Sequence, residues 1–161
     1  LLPAPLHRGL TVKALVALGS NLGDRRAHLE AGLARLRDLG AVTPSPLVME
    51  TPDESGLGPT YLNTVALLDC RETDPRRLLE ALFRLELAEG RDRSAGRNSP
   101  RTLDLDLIAI EGLRGTWRWP RPEGLAVPWA ELDLELPHPR ARQRAFVMEP
   151  MRALGLETLL A

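Results

Sequence analysis

Residues 102–110 read TLDLDLIAI, and this stretch decides the fold class. Polar and apolar residues alternate at its start and the rest is wholly apolar, which is typical of a strand in the middle of a sheet. Successive side chains of a strand point to opposite faces, so Asp104 and Asp106 share one face, about 7 Å apart along the chain, while the leucines enter the core. The stretch therefore predicts a central strand that presents two aligned carboxylates.

Strand and helix patterns follow in a regular order on the N-terminal side of this stretch. The apolar run from Val12 to Leu18 predicts a buried strand, and Asp24 and Gly40 mark the two ends of the helix that follows. The next predicted elements are, in order, a strand over 47–50, a loop over 51–60, a strand over 61–68 and a helix over 74–90. This order predicts an α+β, ferredoxin-like βαββαβ sandwich, with helices packed on one face of an antiparallel sheet.

The C-terminal third has a less regular pattern. Residues 111–135 are rich in Trp, Pro and Arg, so we interpret them as a long irregular excursion within the same domain. A last helix is expected after Pro150. We interpret residues 1–11 as an N-terminal extension and residues 12–161 as a single domain, since a domain usually has about 100–200 residues.

Composition narrows the class of protein. The chain has 161 residues, is 43% hydrophobic and 27% charged, and carries a formal net charge of −1, so no nucleic-acid or membrane partner is indicated. Its single cysteine, Cys70, excludes a disulfide framework and favours a cytoplasmic location. No apolar run approaches the ~18 residues that would span a bilayer.

Charged residues on and beside the central strand are the first candidates for chemistry. Two aligned carboxylates suit Mg²⁺, which takes hard oxygen ligands and usually combines one or two carboxylates with substrate phosphates; a solvated sheet face is the alternative. Four arginines precede the strand in a segment broken by glycine and proline, and they would suit phosphate oxygens or form a solvated loop. These arginines are Arg91, Arg93, Arg97 and Arg101.

Three smaller motifs leave two interpretations each. The turn at 19–21 (GSN) could cradle a phosphate at a helix N-terminus or be a tight turn, and it lacks the lysine of a P-loop. His138, between two prolines, could bind phosphate or move a proton, or could be structural. Tyr61 and Asn63 face the same side of their strand, where they could bind a flat heterocycle or complete a sheet face.

Taken together, the motifs resemble one enzyme family. LVALGSNLGDR (15–25), YLNTVALL (61–68), PRTLDLDLI (100–108) and LPHPRARQRAF (136–146) closely resemble the 6-hydroxymethyl-7,8-dihydropterin pyrophosphokinases of folate biosynthesis. The resemblance implies the ferredoxin-like fold and transfer of pyrophosphate from ATP to the hydroxymethyl oxygen of the pterin, with AMP leaving. ATP and the pterin would be the partners, and a monomer is favoured over an oligomer.

The resemblance also implies roles for individual residues. Asp104 and Asp106 would hold two Mg²⁺ ions, while Arg91 and Arg101 would be catalytic and clamp phosphate oxygens. The positions that match the family's ATP site are Glu86, Arg93, Arg101, His138 and Arg144. The positions that match its pterin pocket are Thr51, Pro52, Tyr61, Asn63 and Phe146.

Some positions depart from the family pattern. Asn98 stands where members commonly carry tryptophan, and Phe83 stands where some members have a polar nucleotide contact. Asp133 and Glu135 occupy a region where members place arginine and threonine near ATP. We expect these departures to affect ATP affinity, and we hypothesise that Trp117 or Trp119 covers the site in place of the missing tryptophan.

Two other classes of protein share parts of this pattern. Nucleotidyltransferases combine GS with a DxD strand, but their carboxylates lie much nearer to the serine in sequence than Asp104 lies to Ser20. RNA-recognition domains share the order of elements, but they stack bases on aromatic residues of the sheet face. The predicted strands offer only Tyr61 for such stacking, so both alternatives are less favoured.

Overall fold

The computed structural model describes residues 10–90 and 102–160 of the chain. The strands in these ranges are β1 (Val12–Ser20), β2 (Gly40–Pro44), β3 (Met49–Thr51), β4 (Tyr61–Cys70), β5 (Asp104–Ile110), β6 (Gly115–Pro120) and β7 (Glu131–Leu136). The α-helices are α1 (Arg25–Leu36), α2 (Pro75–Ala88) and α3 (Ala145–Ala153). The predicted arginine-rich loop over 91–101 and most of the predicted N-terminal extension lie outside the described residues.

The main sheet is antiparallel, with the strand order β2-β4-β1-β5. Strand β3 pairs with the first part of β4, next to β2 on the same side of that strand. This order of strands and helices confirms the predicted ferredoxin-like α+β fold. At the end of β1, Gly19 lies opposite Asn63 of β4 on one side and Asp104 of β5 on the other.

The edge of the sheet differs from the sequence prediction around Gly40. One strand was expected over 47–50, whereas two strands, β2 and β3, share this edge. Gly40 pairs with Cys70 and begins β2 instead of ending the helix. Only glycine fits at this position, because a Cβ there would lie 1.8 Å from the Asp69 carbonyl oxygen on β4. Ser45 leaves the edge after β2, and its hydroxyl donates to the Pro150 carbonyl at 2.7 Å.

The segment 111–135 was expected to be irregular, and this prediction is wrong, because β6 and β7 form an antiparallel hairpin. Leu132, Leu134 and Leu136 are buried and the residues between them are exposed, which is the period-two pattern of a half-buried strand. The indole Nε1 of Trp119 donates to Glu80 Oε2 at 2.8 Å and fixes the hairpin to α2.

The two faces of the sheet are covered differently. Helices α1 and α2 pack on one face, as predicted, together with apolar side chains of the hairpin. Helix α3 packs on the opposite face, over Leu15, Val65 and Ile108. It begins at Ala145, so the expectation of a helix only after Pro150 is wrong; Pro150 lies inside α3, where it removes one backbone donor. The part of this second face that α3 leaves uncovered carries the polar residues that flank Gly19 of β1, Asn63 on β4 and Asp104 on β5.

Candidate active site

A cleft of about 1010 Å³ opens on this second face of the sheet. Its floor is formed by β1, β4 and β5, and its walls come from residues 51–54, the 138–146 segment, α2 and the hairpin. The predicted site residues that line it are Thr51, Pro52, Tyr61, Asn63, Asp104, Asp106, His138, Arg144 and Phe146.

The two aspartates stand side by side on the floor. Asp104 lies opposite Gly19 and Asp106 opposite Ala17, so only small side chains of β1 adjoin them. Both are half-buried and alternate with the buried Leu105, as their spacing predicted. No cluster of three or more His, Cys, Asp or Glu side chains suited to a metal occurs in the described parts of the chain. Two carboxylates with room for phosphate oxygens fit the donor set that Mg²⁺ takes from proteins.

Glu86 lies beneath this floor and does not line the cleft. Its side chain on α2 is completely buried, and its Oε2 accepts a hydrogen bond of 3.1 Å from the backbone N–H of Leu105. Leu105 stands between the two aspartates. Glu86 therefore contacts the backbone that carries Asp104 and Asp106.

His138 is held as a neutral imidazole. Its backbone N–H donates to the Ile108 carbonyl at 2.7 Å, and its Nδ1 accepts from the backbone N–H of Arg140 at 3.1 Å. Burial, followed by the nearby charges of Arg144 and Arg140, lowers the pKa of His138 below its ordinary 6.5, against an opposing effect of Asp104. Because Nδ1 is an acceptor, the proton of the neutral ring is on Nε2.

Two arginines of the 138–146 segment share one acidic partner across the cleft. Arg144 Nη2 donates to Glu54 Oε1 at 2.9 Å, and Arg140 Nη2 lies 3.4 Å from the same oxygen. The Arg144 guanidinium carbon also lies 5.6 Å from the centre of the Phe146 ring. In this structure Glu54 therefore occupies the anion-binding side of both guanidinium groups.

The predicted pterin residues meet at the β4 end of the cleft. Asn63 Nδ2 donates to Thr51 Oγ1 at 2.7 Å, which fixes the orientation of the amide. A Cβ added at Gly19 would lie 3.0 Å from Asn63 Oδ1 and 3.3 Å from Tyr61 Cδ1, so both side chains lie directly over this glycine. Tyr61 and Asn63 share one side of β4, as the alternation predicted.

The turn at 19–21 has a mainly structural environment. Gly19 lines the cleft, whereas Ser20 is fully buried and does not line it. Asn21 Nδ2 donates to the Pro59 carbonyl at 3.2 Å and thereby fastens the 52–60 loop to the end of β1. These contacts favour the tight-turn interpretation over a phosphate cradle.

The tryptophan hypothesis is wrong for both residues that it named. Trp119 is buried and bonded to Glu80, and Trp117 packs against the core; neither lines the cleft. Trp129 does line it, next to Phe83. The alternation over 132–136 could have predicted the hairpin and therefore a turn that carries Trp129.

Of the positions that depart from the family pattern, Asp133 lines the cleft and Glu135 does not. Arg118 Nε lies 2.8 Å from Glu131 and 3.4 Å from Asp133. The remaining predictions fall on Arg91, Arg93, Arg97, Asn98 and Arg101, which lie outside the described residues.

The sequence profile of the 7,8-dihydro-6-hydroxymethylpterin-pyrophosphokinase family matches residues 15–155, a range that includes every residue lining the cleft. The chain belongs to this family. Membership confirms the resemblance found in the sequence and makes the chain a pyrophosphokinase of folate biosynthesis. It also removes the nucleotidyltransferase and RNA-recognition alternatives.

Curated relatives cover most of the pyrophosphokinase chain. The 2-amino-4-hydroxy-6-hydroxymethyldihydropteridine pyrophosphokinase of Pseudomonas aeruginosa is 37% identical over 146 residues, which is 89% of this chain and 80% of that protein. The enzyme of the same name from Bacillus subtilis is 31% identical, over 86% of this chain and 75% of its own. A folate synthesis bifunctional protein of Arabidopsis thaliana is 30% identical and matches 91% of this chain over 28% of its own length.

Among the helices in the described ranges, none has the length and the apolar composition that a membrane span requires.

Proposed function

We propose that this cleft transfers the β,γ-pyrophosphoryl group of ATP to the hydroxymethyl oxygen of 6-hydroxymethyl-7,8-dihydropterin and releases AMP. The observation that carries the proposal is the position of the carboxylate pair. Asp104 and Asp106 on β5 line the same cleft as Asn63 on β4 and as His138 and Arg144 of the 138–146 segment.

Two Mg²⁺ ions are assigned to Asp104 and Asp106. When bound, they would neutralise charge on the phosphate oxygens of ATP. The chain's contribution is to hold both carboxylates on one strand, beside the small residues Ala17 and Gly19, with space for phosphate above them. Glu86 is assigned a positioning role, because it fixes the Leu105 backbone between the two aspartates.

The phosphates of ATP are assigned to hydrogen-bond donors of the 138–146 segment. The neutral His138 ring would donate its Nε2–H to a phosphate oxygen, and Arg144 would bind a second oxygen with its guanidinium. Arg91, Arg93 and Arg101 are assigned to phosphate binding on the sequence pattern alone. In phosphoryl-type transfer such groups act by positioning and charge stabilisation, since the protein has little covalent chemistry to perform.

The pterin is assigned to the β4 end. The Asn63 amide would bond one edge of the heterocycle while Phe146 and Tyr61 pack against its flat faces. Thr51 would keep the Asn63 amide in one orientation, and Pro52 would complete the wall. A pterin bound in this way would direct its hydroxymethyl group toward the carboxylates on β5.

The test compares the wild type with Asp104→Asn and Asp106→Asn in an assay of AMP formation over a range of Mg²⁺ concentration. Each variant keeps the shape of the side chain and loses the charge, so turnover should fall by about 10²–10³-fold while circular dichroism is unchanged. Asp69→Asn, on the far end of β4, is the matched control. Turnover within tenfold of the wild type in both site variants would contradict the assignment.

A further inference from the structure

A polar cluster closes the base of the 52–60 loop. Arg25 Nη1 donates to Glu50 Oε1 at 3.0 Å, to the Thr60 carbonyl at 3.0 Å and to Thr60 Oγ1 at 2.9 Å. The Thr60 hydroxyl in turn donates to Glu50 Oε1 at 2.8 Å. Glu50 stands directly before Thr51 on β3, and Thr60 directly precedes β4, so the cluster joins the two ends of the loop. Arg25, Glu50 and Thr60 do not line the cleft.

Arg25 is stabilised by groups outside its own helix. It is the first residue of α1, directly after the cap Asp24, and no acidic residue follows in the first turn. A cation is disfavoured at this end of a helix, because the peptide dipoles place partial positive charge there. Glu50 supplies the opposite charge. Hydrogen bonds from Thr60 and Arg25, together with the charge of Arg25, hold the pKa of Glu50 below its ordinary 4.5, against an opposing effect of burial.

The cluster and the pterin end of the cleft lie on opposite faces of β3. Successive side chains of a strand point to opposite faces, so Glu50 points toward α1 while Thr51 points into the cleft. Strand β3 has only three residues, fewer than the usual number of about 5–6, and it pairs with β4 alone. A contact from α1 therefore adds to the few hydrogen bonds that fix its position. That position matters for the pterin, because Thr51 Oγ1 accepts from Asn63 Nδ2 at 2.7 Å.

We infer that Arg25 is a positioning residue for the pterin. By holding Glu50 it keeps Thr51 in place, and Thr51 keeps the Asn63 amide in its binding orientation. The inference rests on the proposed function, which assigns the pterin to Asn63.

The Arg25 contacts also differ from the contact on the inner side of the same loop. There Glu54 binds Arg144 at 2.9 Å, and an ATP phosphate on Arg144 would displace this carboxylate. The Arg25 contacts involve no residue that is assigned to the phosphates, so they would persist when ATP is bound. Arg25 would thus hold the loop in the complex that contains both substrates.

The experiment measures pterin binding by calorimetry in the presence of Mg²⁺ and α,β-methylene-ATP, together with steady-state kinetics. Arg25→Ala should weaken pterin binding and raise the KM for the pterin by about three- to tenfold, because an ion pair with additional hydrogen bonds is lost. The kcat at saturating pterin and the affinity for the ATP analogue should be unchanged, since Arg25 touches neither the phosphates nor the two aspartates.

Three further variants accompany Arg25→Ala. Glu50→Gln removes the charge of the other partner and should weaken pterin binding in the same direction. Arg25→Lys keeps the positive charge and should retain most of the affinity. Arg26→Ala makes the same change at the next residue of α1, which is exposed, and as the matched control it should behave as the wild type. The unfolding midpoint of Arg25→Ala should change little, because a cation is also removed from the helix N-terminus.

A double-mutant cycle tests the route through Thr51. Thr51→Ala removes the hydroxyl that holds Asn63, so Arg25→Ala should cause little further loss of pterin affinity in that background. Losses that multiply, as expected of independent sites, would overturn the inference.

Two other results would also overturn it. One is an unchanged pterin affinity in Arg25→Ala, and the other is an equal loss of affinity for the pterin and for the ATP analogue, which would indicate a general loosening of the structure. Pterin-dependent AMP formation by the wild type is measured in parallel. If the wild type forms no AMP, the proposed function fails and the inference fails with it; if AMP forms and only the results for the variants are negative, the positioning role alone is rejected.

Discussion

At the scale of single residues, the depth of the cleft depends on a missing side chain. Gly19 lies between Asn63 and Asp104 on the neighbouring strands, and its hydrogen leaves the space that Asn63 and Tyr61 occupy. The Asn63 amide is further held by Thr51 at 2.7 Å. One added carbon atom at Gly19 would therefore act on the pterin end of the cleft through both side chains.

Gly19→Ala should weaken pterin binding, because its Cβ would lie 3.0 Å from Asn63 Oδ1 and push the amide away from Thr51. The expected loss is about tenfold in affinity, the equivalent of about one hydrogen bond. Calorimetry with the pterin measures it. Gly32→Ala is the matched control, because its Cβ would meet Leu103 at 2.9 Å in the core and should lower stability without changing pterin affinity. Equal pterin affinity in Gly19→Ala and the wild type would contradict the pterin assignment.

Glu54→Gln should increase the affinity for ATP. Glu54 contacts Arg140 and Arg144, so an ATP phosphate that binds these arginines must displace its carboxylate. The expected gain is about two- to fivefold, because Glu54 is mostly exposed and such ion pairs contribute about 0.2–1 kcal/mol. The dissociation constant of α,β-methylene-ATP measures the effect, with Glu149→Gln at another surface pair as control. A weaker affinity in Glu54→Gln would contradict the competition.

At the scale of secondary-structure elements, the hairpin and the helices are joined by a few polar contacts. Trp119 on β6 donates to Glu80 on α2, whose carboxylate is 2% exposed and also binds Arg77 at 3.0 Å. At the C-terminal end of α2, Glu89 joins this helix to α1 through His28 and Arg35, each at 2.9 Å. The Trp119–Glu80 contact thus joins the hairpin to α2, two elements that form walls of the cleft, and the Glu89 contacts fix α2 to α1.

Trp119→Phe should lower the free energy of unfolding by about 1–3 kcal/mol, because the buried Glu80 would lose a donor. Urea unfolding measures this change. Trp117→Phe, on the same strand, is the matched control and should cost less, since the structure gives its indole packing contacts with the core. An equal cost of the two substitutions would contradict the role of the Trp119–Glu80 hydrogen bond.

Glu89 should make stability depend on pH. The hydrogen bond from His28, assisted by Arg35 and opposed by burial, holds the pKa of Glu89 below its ordinary 4.5. Because the folded pKa is the lower one, the stabilisation is present above about pH 4.5 and is lost as the pH falls through the folded pKa. The difference in unfolding midpoint between the wild type and Glu89→Gln should therefore be constant from about pH 7 to about pH 5 and shrink as the pH decreases below about 4.5. A difference that stays constant below about pH 4.5 would contradict the linkage.

The elements also show where sequence patterns suffice. Strands β1, β4 and β5 and helices α1 and α2 were predicted because each carries a long apolar period or a clear cap such as Asp24 or Asp74. Only the strand over 47–50 was predicted at this edge, and β2 was missed, because edge strands have few residues and Ser45, which bonds to Pro150 on α3, interrupts the edge after β2. That contact joins segments far apart in sequence and leaves no local signal.

At the scale of the whole molecule, one face of the main sheet forms the core and the other forms the cleft. One face packs against α1, α2 and the hairpin and forms the main core, and the other is only partly covered by α3. The uncovered part becomes the cleft, where the strand register places Asn63 and Asp104 on either side of Gly19. The sequence motifs predicted which residues belong to the site, but the strand register brings these residues together. The burial of Glu86 and the exposure of Trp129 also depend on tertiary packing, which the motifs do not show.

The most direct test of the central claim is the identity of the nucleotide product. The chain would be incubated with ATP and Mg²⁺, with and without 6-hydroxymethyl-7,8-dihydropterin, and the nucleotides separated by chromatography. Transfer of the β,γ-pyrophosphoryl group predicts AMP that forms only when the pterin is present, in equal amount to the pyrophosphorylated pterin. Formation of ADP, or of AMP at the same rate without the pterin, would contradict the account.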